Sequence, residues 1–313
     1  MDAQQRDLVP VPYFHVVFTV PAELHDLFRA TPRVTYNLLF AAVAETLTQV
    51  ARRRLGAKIA VTAVLHTWTQ LLLFHPHLHC IVPGGGLDPG HTHWIAARAD
   101  FFLPVRVLAE VFRGKLLAAL EKAIDRTEIP QRRDEDPHAL LTRAATKRWV
   151  VYCKSPFAGP EQVLAYLARY THRIALSNDR LISLHDGQVT FRWKDRAHDN
   201  APRVATVQAE AFLRRFLLHV LPARFVRIRH YGWLANSARK RLLPTVREVL
   251  GLSAPVACPP PPVEPEPWEA TLLRLTGKDV TRCPCCGAEG FFIVEAVPAR
   301  AKPGDFPLRV RSP

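Results

Sequence analysis

Between His75 and Gly86 the chain reads His-Pro-His-Leu-His-Cys-Ile-Val-Pro-Gly-Gly-Gly. Imidazoles alternate with apolar side chains here, and a period of two is the signature of a strand whose two faces differ. On such a strand His77 and His79 point to one side together, while Leu78 and Cys80 turn toward a core. His75 shares their parity, but Pro76 is expected to break the strand before it, and the three glycines to stop it at the other end. A chain with this segment must build a sheet with one apolar face and one face that gathers imidazoles. Two histidines so placed can share a divalent cation, with phosphate and water filling the remaining positions. The alternative is a pair of histidines on a solvated strand face.

Other segments supply the rest of such a sheet. Tyr13 to Val20 is β-branched and aromatic and reads as a buried strand. Lys58 to Thr67 and Arg148 to Cys153 read as further strands, as do Leu181–Leu184 and Val189–Trp193. His91 to Ala97 pairs back as a hairpin. Helical periodicity appears over Pro32–Leu55, Pro104–Arg126, Glu161–Arg173, Ala209–Leu221 and Ser237–Leu250. Strands interspersed with helices, with hairpins among the strands, predict an α+β fold rather than a doubly wound one.

Composition narrows the function. The chain has 313 residues, 48% hydrophobic and 22% charged, which excludes a disordered protein. No run of 18 apolar residues occurs, so no membrane span is expected, and the N-terminus lacks the apolar region of a secretory signal. A cytoplasmic location follows as the expectation. Six cysteines do not make a disulfide scaffold. The net charge of +14 points to a polyanionic partner, nucleic acid first among them. Ten cations against Glu210 and Glu248 place +8 of that charge between Ala201 and Leu250. Aromatic residues interleave, a composition that suits single strands, whose phosphates take cations and whose bases stack on rings.

A second constellation is Tyr166-Leu-Ala-Arg-Tyr170, which puts two phenols about one turn apart on one helical face. Tyrosine hydroxyls can act as nucleophiles through covalent intermediates. Taken alone, a packing pair of aromatics is the commoner meaning.

Together, the histidine strand and the downstream Tyr-x-x-x-Tyr helix resemble the HUH endonucleases with two tyrosines. The segments His66–Gly86, Pro156–Leu181, Phe191–Asp195 and Phe212–Leu234 are similar to the rolling-circle insertion-sequence transposases of the insertion-sequence ninety-one type, as is the opening His15–Pro21. The resemblance implies a central antiparallel sheet flanked by helices and a DNA transposase acting on single-stranded DNA at element ends and targets. It implies His77 and His79 as metal ligands, Tyr166 and Tyr170 as nucleophiles, and Mg²⁺ or Mn²⁺ as the metal. Gln70, seven residues before His77, stands where related replication initiators place a third ligand, and His15 is the runner-up. Lys154, Arg169, Arg173, Arg192, Lys194, Arg227 and Arg229 are the cations expected on DNA. Many members carry a cysteine-rich zinc module ahead of the first strand. Here no cysteine occurs before Cys80, the pattern expected of a truncated or short variant, and a decayed remnant that only binds DNA is the rival reading.

The expected organisation is a nuclease core over 1–200, a basic DNA-binding extension over 201–252, a proline-rich linker over 253–267, and a knuckle and tail over 268–313. In the last of these, Cys283 and Cys286 have the spacing of half a zinc site.

Overall fold

The computed structural model describes residues 7–98, 102–129, 136–157, 175–195 and 198–252, with isolated positions between 267 and 288. The chain divides into two compact units, Met1–Ala254 and Pro255–Pro313.

The first unit is built on a five-stranded sheet of β1 (Tyr13–Thr19), β2 (Ala60–Trp68), β3 (Phe74–Pro83), β6 (Val151–Phe157) and β10 (Ile228–Gly232). Their order is β10-β2-β3-β1-β6, and every neighbouring pair is antiparallel. The α+β class and the central antiparallel sheet match the expectation.

Alternation along each strand gives the sheet two different faces. Phe14, Val16 and Phe18 of β1, Val61, Ala63 and Leu65 of β2, and Leu78, Cys80 and Val82 of β3 enter one buried cluster. That cluster is closed by α2 (Pro32–Arg54) and α3 (Val105–Asp125). The α3 stripe Leu108, Phe112, Leu116 and Leu120 repeats every four residues and is fully buried, which is what lays this helix on the sheet. α2 opens with Pro32 in its first turn and ends on Arg52, Arg53 and Arg54, cations suited to the negative end of the helix dipole. The short α1 (His25–Ala30) precedes it, and α4 (Pro137–Thr146) is capped by Asp136, whose side chain accepts from the His138 amide at 3.0 Å.

On the opposite face, Tyr13, Ala60, Val64 and Ile81 pack with Trp233, Leu242, Leu243 and Val246. The last three belong to α6 (Asn236–Val249), which therefore covers that end of the face. The histidines of β1, β2 and β3 occupy the rest of it.

Two smaller sheets complete the unit. β4 (Gly85–Leu87) pairs with β5 (Trp94–Ala96), so the predicted hairpin forms on the glycine run rather than on the histidine strand itself. A Cβ on Gly86 would lie 2.5 Å from the Lys58 carbonyl, so only glycine lets the two backbones approach there. β7 (Leu181–His185), β8 (Gln188–Asp195) and β9 (Ala201–Gln208) form an antiparallel sheet, and Phe191 packs on Phe212 of α5 (Ala209–Leu217).

Two readings of the sequence change. Pro76 does not break β3, which starts at Phe74 and carries His75. The register slips between His66/His77 and Trp68/Phe74, so two β3 residues, one of them Pro76, face one residue of β2. A bulge is where a central strand tolerates proline, because no ladder hydrogen bond is then lost. α4, β9 and β10 were not anticipated. β9 pairs with β8 and β10 with β2, and the two compact units divide at Ala254. The helix expected over Glu161–Arg173 lies outside the described residues. No described helix is long and apolar enough to cross a membrane.

Within the second unit, Asp279 Oδ1 accepts from the Thr281 amide at 2.9 Å. Cys283 and Cys286 lie outside the described residues.

Candidate metal centre

β3 presents His77 and His79 on the same face, as their spacing predicts, and Leu78 and Cys80 on the other. Across the β2–β3 ladder, His66 stands opposite His77, and Val64 opposite His79. His66 therefore joins the pair, and the three side chains each offer one ligand atom, all within 4.8 Å of one another. All three are buried. Their ring centroids lie 4.8 Å apart for His77–His79, 5.5 Å for His66–His77 and 4.3 Å for His66–His79.

Hydrogen bonds settle which nitrogen two of them present. His77 Nδ1 lies 2.6 Å from the His75 carbonyl, which can only accept, so Nδ1 carries the proton and Nε2 keeps its lone pair. His79 Nδ1 is engaged with His15 Nε2 at 2.7 Å, which leaves Nε2 for the triad. His66 stacks on Trp68 at 4.6 Å, which fixes its ring plane. Three clustered, buried imidazoles with oriented rings fit a divalent metal in their donor chemistry.

Gln70 sits beyond the end of β2, in the turn that leads to β3, four residues after His66. What the structure gives for it is a backbone role: its carbonyl accepts from Arg180 Nη2 at 2.6 Å. The next two carbonyls are also held, Leu71 by Arg215 Nη1 at 3.5 Å and Leu72 by His219 Nε2 at 3.1 Å. His219 Nδ1 takes the Thr67 hydroxyl at 3.2 Å, and burial holds its pKa below the usual histidine value. Three side chains from the C-terminal half thus pin the turn that closes the histidine hairpin. Among the histidines, His66 completes the cluster with His77 and His79, and the runner-up His15 touches that cluster through His79.

The cations expected on DNA separate into groups. Lys154 on β6 pairs with His15, so its exposed side chain leaves the same face as the histidines. Tyr152, two residues earlier, shares that face and is half exposed. Arg192 and Lys194 lie exposed on one face of β8, opposite Val204 and Pro202. Arg229 is on the helix-covered face of β10, opposite Ala63. It donates to Asn37 Oδ1 at 2.6 Å, and its guanidinium lies 4.2 Å from the Phe40 centroid and 5.0 Å from that of Phe225. Arg229 thus makes internal packing contacts on this face. The Arg227 carbonyl accepts from the Leu65 amide at 2.9 Å, tying the segment before β10 to β2. Tyr166, Arg169, Tyr170 and Arg173 lie outside the described residues.

The profile of a family described as "Putative transposase" (Y2_Tnp) matches residues 60–241, which takes in β2, β3 and every element through the start of α6. The chain is 47% identical over 297 residues to "Putative transposase y4qJ" of Sinorhizobium fredii (strain NBRC 101917 / NGR234), covering 91% of this chain and 74% of that protein. It is 29% identical over 292 residues to the "Transposase for insertion sequence element IS801" of Pseudomonas savastanoi pv. phaseolicola, covering 91% of this chain and 68% of that one. No solved structure matches the chain. The match over more than half the chain, together with the near-half identity to y4qJ, shows that the chain belongs to this transposase family.

Proposed function

We propose that the chain is a rolling-circle DNA transposase that nicks and rejoins single-stranded DNA through phosphotyrosine. The observation that carries this reading is the buried His66–His77–His79 triad on one face of an antiparallel sheet, in a chain of the transposase family. His66, His77 and His79 would hold a divalent cation, which would polarise the scissile phosphate and steady its developing charge. Three nitrogen donors suit Mg²⁺ poorly, since it asks for oxygen, so of the two expected metals Mn²⁺ is the better match.

The chain's own residues do the rest. Lys154 would fix a phosphate, and Tyr152 offers a ring for a neighbouring base. One of Tyr166 and Tyr170 would attack the phosphorus through its phenolic oxygen, giving up its proton. A bond forms between that oxygen and phosphorus as the bond to the 3′-oxygen breaks, leaving a free 3′-hydroxyl and a 5′-phosphotyrosine. Attack by a 3′-hydroxyl on that ester would reverse the exchange and return the tyrosine. No water is consumed, so the bond is conserved for rejoining.

The test is incubation of the chain with labelled single-stranded DNA and Mn²⁺, followed by a denaturing gel. A covalent adduct is expected for the wild type and none for Tyr166→Phe/Tyr170→Phe, in which both rings remain. An adduct that persists in the double variant would assign the nucleophile elsewhere.

A further inference from the structure

We infer that His15 is a positioning residue for the metal centre, selecting the tautomer in which His79 presents Nε2. This rests on the metal-binding reading of the triad.

His15 lies on β1, opposite Ile81, one step diagonally from His79, whose partner on β1 is Val17. Both rings are buried, and their nitrogens meet at 2.7 Å. The two ring planes differ by only 12° with centroids 5.0 Å apart, so the contact runs in the plane of both rings, where the nitrogen lone pairs point. It is therefore a directed hydrogen bond rather than face-to-face packing.

A neutral imidazole has one donor and one acceptor nitrogen. If His15 donated, His79 Nδ1 would be the acceptor and its Nε2 would carry a proton, leaving no lone pair for a metal. If His79 donates, its Nε2 is available, and His15 must accept through Nε2. Only the second arrangement lets His79 join His66 and His77. His77 reaches the same state by a different route, since the His75 carbonyl holds its Nδ1 proton. One β3 ligand is thus set by the backbone and the other by a side chain on β1, which makes His15 the replaceable element. Partners of this kind, one bond beyond the ligands, typically alter metal affinity 10- to 100-fold.

The experiment is a Mn²⁺ titration of the full chain, reading free Mn²⁺ by electron paramagnetic resonance, with the visible spectrum of the Co²⁺ form as a second readout. His15→Phe keeps a buried ring and removes the acceptor. His15→Gln keeps an oxygen that can accept from His79 Nδ1. Metal affinity is expected to fall 10- to 100-fold in the phenylalanine variant and to return to within about threefold of wild type with glutamine. The Co²⁺ spectrum is expected to change in the first and not in the second. Equal affinity in wild type and His15→Phe would overturn the role of His15 while leaving the triad intact. Equal loss in both variants would also overturn it, since packing and not hydrogen bonding would then be at stake. Should His15→Phe fail to fold, the glutamine variant decides: wild-type affinity and spectrum support the role, and their loss overturns it. Wild type that binds neither ion would overturn the metal reading itself, and this inference with it.

Discussion

Lys154 and Arg229 are both cations on edge strands of the central sheet, and their side chains leave opposite faces. Arg229 stacks on Phe40 and Phe225 and bonds Asn37, so its removal breaks a cation–π pair and a charged hydrogen bond. Arg229→Ala is expected to cost about 1–3 kcal/mol of stability and to leave affinity for single-stranded DNA nearly unchanged. Lys154→Ala is expected to do the reverse, lowering affinity and reducing the slope of log K against log[salt] by about 0.7, the effect of one lost phosphate contact on a single strand. Thermal denaturation and fluorescence anisotropy across a salt series check both. A larger loss of DNA affinity in Arg229→Ala than in Lys154→Ala would contradict the assignment of faces. The same parity separates what was legible from what was not. His77 and His79 share a face by a rule that needs only the local spacing. His66 joins them only through the β2–β3 register, which depends on the length of the Thr69–Leu73 turn and on the bulge at Pro76. Neither is visible in the spacing of His77 and His79, although His66 lay within the segment that carried the family resemblance.

The β2–β3 hairpin is the element that brings the triad together, and its turn is held from outside. Arg180 donates to the carbonyls of Gln70, Ala175 and Arg192, so one guanidinium ties the turn to β8. Arg180→Ala frees three carbonyls, and a loss of about 2–3 kcal/mol in stability is expected with weaker Mn²⁺ binding, because His66 and His77 flank the freed turn. Chemical denaturation and a metal titration measure the two effects. Destabilisation with unchanged metal affinity would show that the turn and the triad are independent. β10 escaped the sequence reading because Ile-Arg-His-Tyr-Gly sits in the most basic stretch and its alternation is hidden among cations. Charge drew attention to binding, whereas Arg215, Arg229 and Arg239 each make an internal bond, to Leu71, Asn37 and Asp7. The long helices and the buried strands were legible because their apolar periodicity is strong. α4 was not, since its buried stripe of Pro137, Leu140, Leu141 and Ala144 is confined to ten residues.

At the scale of the whole molecule, one antiparallel sheet separates an apolar, helix-covered layer from a face where imidazoles collect. Buried histidines around the sheet make the fold sensitive to acid. Burial holds His25, His219 and His230 below the usual histidine pKa. The unfolded chain then takes up protons before the folded one as pH falls through about 6.5, so stability present above that pH is lost below it. The melting temperature of the metal-free protein is expected to be lower at pH 5.5 than at pH 7.5, and a flat or rising profile toward acid would contradict the burial of these rings. The triad itself is tested most directly by the covalent adduct formed on labelled single-stranded DNA with Mn²⁺, compared between His66→Ala and Gln70→Ala. The expected result is an adduct in wild type and in Gln70→Ala, and none in His66→Ala or with a chelator. An adduct of wild-type yield in His66→Ala, with none in Gln70→Ala, would contradict the three-histidine centre.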